Sequence, residues 1–100
     1  MEALINQARE DYAKHGQDFD EKLAWHHEHG FVIDIPYLFA IGYFLDIDGD
    51  KVCHVTYMTG DMRLLILIGE NFMLDKIQFE RNLSGRTKRY DFLKLAKRIK

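Results

Sequence analysis

The densest group of potential metal ligands in the sequence is the cluster WHHEH at residues 25–29. His26 and His29 lie three residues apart, so on a helix their imidazoles would share one face and offer two nitrogens to a metal ion. A remote third ligand would come from His54, Cys53 or Asp34. The spacing departs from the zinc signature of two histidines four residues apart with a Glu between them, and His26 also continues an apolar helical stripe. We therefore expect neither a metal nor another cofactor, and name only His26 and His29 as metal candidates.

Three alternating acids, Asp46, Asp48 and Asp50, match the first half of a calcium-binding loop. The match ends there, because Lys51 stands where such a loop requires glycine. The Asp48-Gly49 pair instead predicts a hairpin turn, since both central positions of the favoured turn need positive φ. We expect these carboxylates to be solvated.

No complete nucleophilic site is recognisable in the sequence. Cys53 and His54 are adjacent, but neighbouring residues of a strand point to opposite faces, so a thiolate and its base cannot pair there. The only serine, Ser84, lacks the flanking glycines of a nucleophile elbow. We therefore favour a non-catalytic function.

Charge is distributed unevenly along the chain, although the formal net charge is only −2. Residues 1–50 carry a net charge of −8, residues 51–80 carry −1 and residues 81–100 carry +7. The basic end is a candidate site for a phosphate, another anion or nucleic acid. The candidate anion-binding residues are Arg81, Arg86, Lys88, Arg89, Lys94, Lys97 and Arg98.

The basic segment is predicted to form an amphipathic helix from about Thr87. Lys88 and Arg89 would then lie in its first turn, where positive charge opposes the helix dipole unless an anion binds. The alternative is a solvated helix face, or a basic surface that pairs with the acidic N-terminal helices of the same or another copy.

Local signals predict two helices before the central region. Apolar spacing predicts a helix over residues 2–15, and Gly16 is placed to end it. Asp18 is placed to cap a second helix that runs to His29.

The apolar and aromatic residues crowded into positions 31–68 predict the sheet. Residues 31–35 should be extended, and Pro36 should begin a short helix that leads into a strand from about Tyr43. The alternative is a strand throughout, because Phe39, Ile41, Tyr43, Leu45 and Ile47 alternate as strand residues do. The predicted meander comprises residues 43–47, 52–58 and 62–68, with a fourth strand around Ile77 and Phe79 that has one wet face. The expected fold is a single α+β domain over residues 1–100, an antiparallel three- to four-stranded β-meander packed with N-terminal helices and a C-terminal helix.

Composition bounds the class of protein and its compartment. A chain of 100 residues that is 47% hydrophobic and 30% charged is typical of one globular domain. A single cysteine cannot form an intrachain disulfide, and the longest uncharged run falls short of the roughly 20 residues that span a bilayer. We expect a cytoplasmic protein without a membrane partner.

These patterns favour a small intracellular interaction module, expected to be a homodimer or to bind another protein. The basis is the run at residues 62–68, which as a strand would be apolar on both faces, together with the opposite charge of the two ends. The alternative is nucleic-acid or polyanion binding through the basic C-terminal segment. A metal-dependent enzyme that uses the histidine cluster is a less favoured alternative.

Overall fold

The computed structural model describes residues 2–81 and 83–99 and has the α+β fold class that the sequence predicts. Ten elements follow one another along the chain. They are α1 (Glu2–Lys14), α2 (Phe19–His29), β1 (Phe31–Ile35), β2 (Leu38–Ile47), β3 (Asp50–Gly60), α3 (Met62–Gly69), a 3-10 turn (Glu70–Phe72), β4 (Lys76–Arg81), β5 (Arg86–Asp91) and α4 (Phe92–Ile99).

The sheet differs from the predicted antiparallel meander of three or four strands. It has five strands in the order β1-β2-β3-β4-β5, and β3 pairs with β4 in parallel. The other three pairs are antiparallel. A parallel pair needs a crossover connection, which α3 provides. The predicted meander is therefore wrong at the step from β3 to β4.

The predicted strand at residues 62–68 is α3. The Asp61 carboxylate accepts a hydrogen bond from the backbone N–H of Arg63 at 2.9 Å and so caps the first turn. Leu65 and Ile66 are buried, whereas Leu67 is 51% exposed. The apolar run therefore has one buried face as a helix, and it supplies no doubly apolar strand for a dimer seam.

The predicted helix start at Thr87 is also wrong. Residues 86–91 form β5, whose register places Lys88 opposite Phe79 and Arg89 opposite Gln78. The last helix begins at Phe92, and the Asp91 carboxylate accepts a hydrogen bond from the backbone N–H of Lys94 at 3.1 Å. Lys88 and Arg89 therefore do not experience the dipole of α4 as first-turn residues.

Other local predictions are confirmed. Residues 31–35 are extended, the first two helices have the predicted bounds within two residues, and Asp18 accepts the backbone N–H of Glu21 at 3.3 Å. Asp48 and Gly49 form the β2–β3 turn with φ of 52° and 86°.

The short helix predicted from Pro36 is replaced by a turn, after which β2 begins at Leu38.

Helices cover both faces of the sheet. On one face, Phe39 and Ile41 of β2 pack with Tyr12 of α1 and Phe19 of α2, and we call this the N-terminal face. On the other, Leu38 and Ala40 pack with the buried residues of α3 and α4, and we call this the C-terminal face. The alternation of β2 side chains thus serves two cores. No helix of the described residues is long and apolar enough to span a membrane.

A gap in the sheet opens beyond the short parallel pair. β3 pairs with β4 only from Val52 to Val55, while its C-terminal half stays paired with β2. β4 continues to Arg81 beside β5. The two parallel strands therefore separate at their carboxyl ends, which is where ligands commonly bind in sheets that contain parallel strands.

Candidate functional site

The gap between β3 and β4 widens into a cleft of about 1100 Å³. Residues of α1 line one side and residues of α4 line the other, so the cleft reaches both faces of the sheet. Its walls combine apolar and aromatic side chains, among them Phe79, Tyr90 and Ile99, with charged side chains. Concave sites of several hundred Å³ with a few convergent polar groups are typical small-molecule sites.

Three basic side chains from three elements line this cleft. Arg81 comes from the end of β4, Lys88 from β5 and Arg98 from α4. The ammonium of Lys88 lies over the ring of Tyr90 at 5.4 Å, which gives the long side chain a fixed support inside the cleft. The structure therefore brings together three of the seven predicted anion-binding residues.

The other four predicted anion-binding residues lie elsewhere. Arg86, Lys94 and Lys97 are exposed and do not line the cleft. Arg89 points to the N-terminal face, where its Nε donates a hydrogen bond to Oε1 of Gln78 at 3.0 Å. The sequence predicts one continuous track of basic residues along a helix. The structure instead divides these residues among β4, β5 and α4, and some lie on the surface outside the cleft.

A tyrosine and an aspartate meet on the α1 side of the cleft. The Tyr57 hydroxyl donates to Oδ2 of Asp11 at 2.5 Å, and Nε2 of Gln7 donates to Oδ1 at 3.0 Å. The hydrogen bond from Tyr57 lowers the pKa of Asp11, while burial and the nearby carboxylate raise the pKa of Tyr57. Both oxygens of Asp11 are therefore occupied, and the Tyr57 hydroxyl stays neutral.

Glu80, in contrast, has an open acceptor. Its side chain is 18% exposed and lines the cleft from the N-terminal face. Among the described residues its carboxylate has no hydrogen-bond partner, and its one ion-pair contact within 4 Å is Nε2 of His54, at 3.8 Å. This separation is too long for a hydrogen bond.

Donor and acceptor chemistry fixes the orientation of His54. The Arg89 guanidinium has only donors, so Oε1 of Gln78 accepts and Nε2 of Gln78 donates to Nδ1 of His54, at 2.8 Å. Neutral His54 then carries its proton on Nε2, the nitrogen nearest Glu80. Burial lowers the pKa of His54, and a proton on Nδ1 would face the amide donor of Gln78. Both effects disfavour the charged imidazolium form of His54.

His26 is held in the complementary tautomer. Its Nδ1 donates to the backbone carbonyl of Lys22 at 2.7 Å, and its Nε2 accepts from the Thr56 hydroxyl at 2.7 Å. Burial lowers the pKa of His26. Both ring nitrogens are engaged, while the other metal candidate, His29, is exposed beside Trp25. Within residues 2–81 and 83–99 no three His, Cys, Asp or Glu side chains are placed to share a metal ion.

Cys53 lies on the opposite face of β3 from His54, as strand alternation predicts. It belongs to the core of the C-terminal face, and burial raises its thiol pKa to about 12. The thiolate is therefore scarce at neutral pH, and Cys53 is part of the packing.

Sequence reasoning missed the acidic and aromatic half of the cleft. The alternation of charged and apolar residues predicts a wet face for β4, yet Gln78 is buried and donates a hydrogen bond to His54. Tyr57 and Glu80 have no distinguishing spacing, because their partners Asp11 and His54 are 46 and 26 residues away in the sequence. Comparison of the chain with known protein families, curated proteins and solved structures gives no match, so the functional assignment depends on the cleft itself.

Proposed function

We propose that the protein is a non-catalytic binding protein that holds an anionic ligand in the cleft between β3 and β4. The observation that carries this proposal is the convergence of Arg81, Lys88 and Arg98, from three separate elements, on one concave site. Three cations around one concave site attract an anion more strongly than the same charges spread over an open surface.

The separation of the other basic residues favours a small ligand over a long polyanion. A duplex would require a basic track that follows successive phosphates. Arg86, Lys94 and Lys97 lie outside the cleft and Arg89 is engaged with Gln78. Nucleic-acid binding is therefore the competing result that the experiment must distinguish.

Two triple variants with equal charge test the proposal. R81Q/K88Q/R98Q removes the three cleft cations, and R86Q/K94Q/K97Q removes three basic residues outside it. Calorimetric titration with inorganic pyrophosphate in low salt should show binding by the natural protein and by the second variant, with a loss of about tenfold or more in the first.

The comparison separates a defined site from the net charge of the chain. Equal weakening in both variants would mean that pyrophosphate responds to overall charge, and an absence of binding to the natural protein would reject the function. A short DNA duplex titrated in parallel should bind more weakly than pyrophosphate. Tighter duplex binding that both variants weaken would instead favour the polyanion hypothesis.

Self-association is the second candidate function, on a basis different from the sequence prediction. Phe44 and Phe72 are 41% and 42% exposed, and their rings lie 5.3 Å apart at an apolar groove that Phe31 also lines. Exposed apolar grooves of this kind occur at protein interfaces. We propose a second copy of the chain as the partner. Light scattering should then give the mass of a dimer, and this dimer should persist in about 500 mM salt, where charge contacts are screened. The variant F44Q/F72Q should be a monomer. A monomeric natural protein would reject self-association.

The cytoplasm remains the proposed compartment. Its support is the single cysteine, a buried thiol that has no disulfide partner in the chain.

A further inference from the structure

We infer that the ligand is a phosphate monoester of a polyol, either a sugar phosphate or a nucleotide, with its phosphate on the three cleft cations and its hydroxyls on Glu80. This inference deepens the proposed function and rests on it. It follows from the two unlike walls of the cleft.

The cleft is electrically divided between the two faces of the sheet. Phe79 and Tyr90 pack on the C-terminal face, so the β4–β5 register also places Arg81 and Lys88 there, beside Arg98 of α4. Glu80 follows Phe79 on β4 and points to the N-terminal face, toward His54. A ligand that fills the cleft therefore meets cations at one end and a carboxylate at the other.

Glu80 is the acceptor that lacks a donor. Asp11, the other carboxylate of the cleft, already accepts from Tyr57 and Gln7. The described residues offer Glu80 no hydrogen bond, although its side chain is mostly buried. Its carboxylate oxygens are not among the buried polar atoms that lack a partner, so in the free protein they reach water, and a ligand that displaces this water must supply donors of its own.

A hydroxyl fits this acceptor better than an ammonium does. The charged side chains that line the cleft are the cations Arg81, Lys88 and Arg98 and the carboxylates Asp11 and Glu80; three positive charges against two negative ones leave a net charge of +1, which disfavours a second cationic group on the ligand. The two oxygens of one carboxylate can accept from adjacent hydroxyls, which is the arrangement on a sugar or glycerol backbone.

The chain Arg89–Gln78–His54 sets the electrostatic environment of Glu80. Each member fixes the hydrogen-bonding direction of the next, and the last places the Nε2–H of His54 on the side of Glu80 away from solvent. The N–H lies too far away to satisfy the carboxylate but adds a favourable dipole. The oxygen that faces the cleft is left for the ligand.

Two phosphate esters that differ only in hydroxyls test the inference on the natural protein. Glycerol 3-phosphate carries two hydroxyls that n-propyl phosphate lacks. Calorimetry should show that the natural protein binds glycerol 3-phosphate about tenfold or more tightly, because sites built around hydroxyls reject analogues without them. This comparison needs no variant to fold.

Glu80→Gln then identifies the responsible side chain. The variant should reduce the preference for glycerol 3-phosphate over n-propyl phosphate to about twofold or less, while binding of n-propyl phosphate is retained or tightened as a negative charge is removed. Glu28→Gln removes the same charge from an exposed site on α2 and should leave the preference unchanged.

The failures of the two proposals are distinguishable. If both esters bind equally and R81Q/K88Q/R98Q weakens both, the anion site stands and the polyol inference is rejected. If neither ester binds while pyrophosphate does, the anion site stands and the polyol phosphate inference is rejected; if pyrophosphate also fails to bind, the proposed function itself is rejected. When glycerol 3-phosphate is preferred, AMP and ribose 5-phosphate separate the two sources: tighter AMP binding identifies a nucleotide, and equal or weaker AMP binding identifies a sugar phosphate.

Discussion

Two neighbouring tyrosines, Tyr12 and Tyr57, differ in the hydrogen bonding of their hydroxyls. The rings of Tyr12 and Tyr57 are 5.5 Å apart between α1 and β3. The Tyr12 hydroxyl is buried and, among the described residues, has no hydrogen-bond partner. The Tyr57 hydroxyl donates to Asp11. Removal of each hydroxyl by a change to phenylalanine should therefore shift the stability of the protein in opposite directions.

The expected magnitudes follow from hydrogen-bond energetics. A buried polar group without a partner costs about 1–3 kcal/mol, so Tyr12→Phe should raise the free energy of unfolding by about 1 kcal/mol after allowance for local relaxation. A hydrogen bond to a charged group contributes about 1.5–3 kcal/mol. Tyr57 and Asp11 are both partly exposed, so Tyr57→Phe should lower the free energy of unfolding by about 1 kcal/mol, the lower part of the range.

Urea unfolding at neutral pH measures both changes on the same scale. The slope with denaturant should stay constant, which shows that each variant alters stability and not the compactness of either state. In thermal melts, a change of about 1 kcal/mol corresponds to a shift of about 4–8 °C for a domain of this size. The two shifts should have opposite signs.

A destabilised Tyr12→Phe variant would refute the reasoning. It would mean that the hydroxyl makes a hydrogen bond after all, for instance through a buried water that bridges it to Glu80, whose negative charge adds to burial in raising the pKa of Tyr12. If Glu80→Gln abolished that loss of stability, the bridge would end on Glu80. Glu80 would then have a donor inside the protein, and the basis for a ligand hydroxyl there would be lost together with the stability prediction.

Three further predictions concern the interior. Burial lowers the pKa of His26 and His54 below the unfolded value, so the unfolded state binds more protons in acid. The free energy of unfolding should therefore fall as the pH falls below about 6.5. In urea titrations at several pH values, His54→Gln should make this dependence on pH weaker; the same dependence on pH in the variant would contradict the prediction. Thr56→Val leaves Nε2 of His26 unsatisfied and should cost about 1–3 kcal/mol in urea unfolding, whereas Thr56→Ser should retain most of the stability; equal losses would contradict the role of the hydroxyl. Gly42→Ala would drive a methyl group against the backbone carbonyl oxygen of His54 and should lower the free energy of unfolding by about 1–3 kcal/mol, and a thermal melt equal to that of the natural protein would exclude this close approach.

Elements with local signals were predictable from the sequence. The capping carboxylate of Asp18 and the positive φ required at Asp48-Gly49 act within a few residues, so they are visible without knowledge of the fold. The same is true of the extended residues before Pro36. The two N-terminal helices, the β2–β3 hairpin and the α+β class follow from signals of this range.

Elements whose identity depends on distant partners were not predictable. The run at residues 62–68 is apolar at every position but Arg63, so its composition fits a buried strand as well as a helix packed on a sheet. β5 is almost entirely polar, and it is a strand because β4 supplies its hydrogen-bonding partner. Tertiary pairing decided both cases.

The site was predictable only as a set of charges. The excess of basic residues after position 80 indicated an anion, but the predicted helix from Thr87 would have placed Lys88 and Arg89 together in its first turn. The strand register and the position of α4 instead group Arg81, Lys88 and Arg98. The opposing carboxylate follows from neither composition nor spacing, because it depends on the separation of β3 from β4.

A bulge in β3 joins the buried histidine network to the cleft. The register with β2 shifts between Ile41 and Gly42, so Thr56 is an extra residue between Val55 and Tyr57. Regular alternation would send Thr56 and Tyr57 to opposite faces. The bulge turns both to the N-terminal face, where one hydroxyl holds His26 and the other occupies Asp11. Because Asp11 accepts these hydrogen bonds, Glu80 is the cleft carboxylate that accepts none from the described residues, and the ligand specificity proposed for the cleft depends on one irregular residue that no local sequence signal marks.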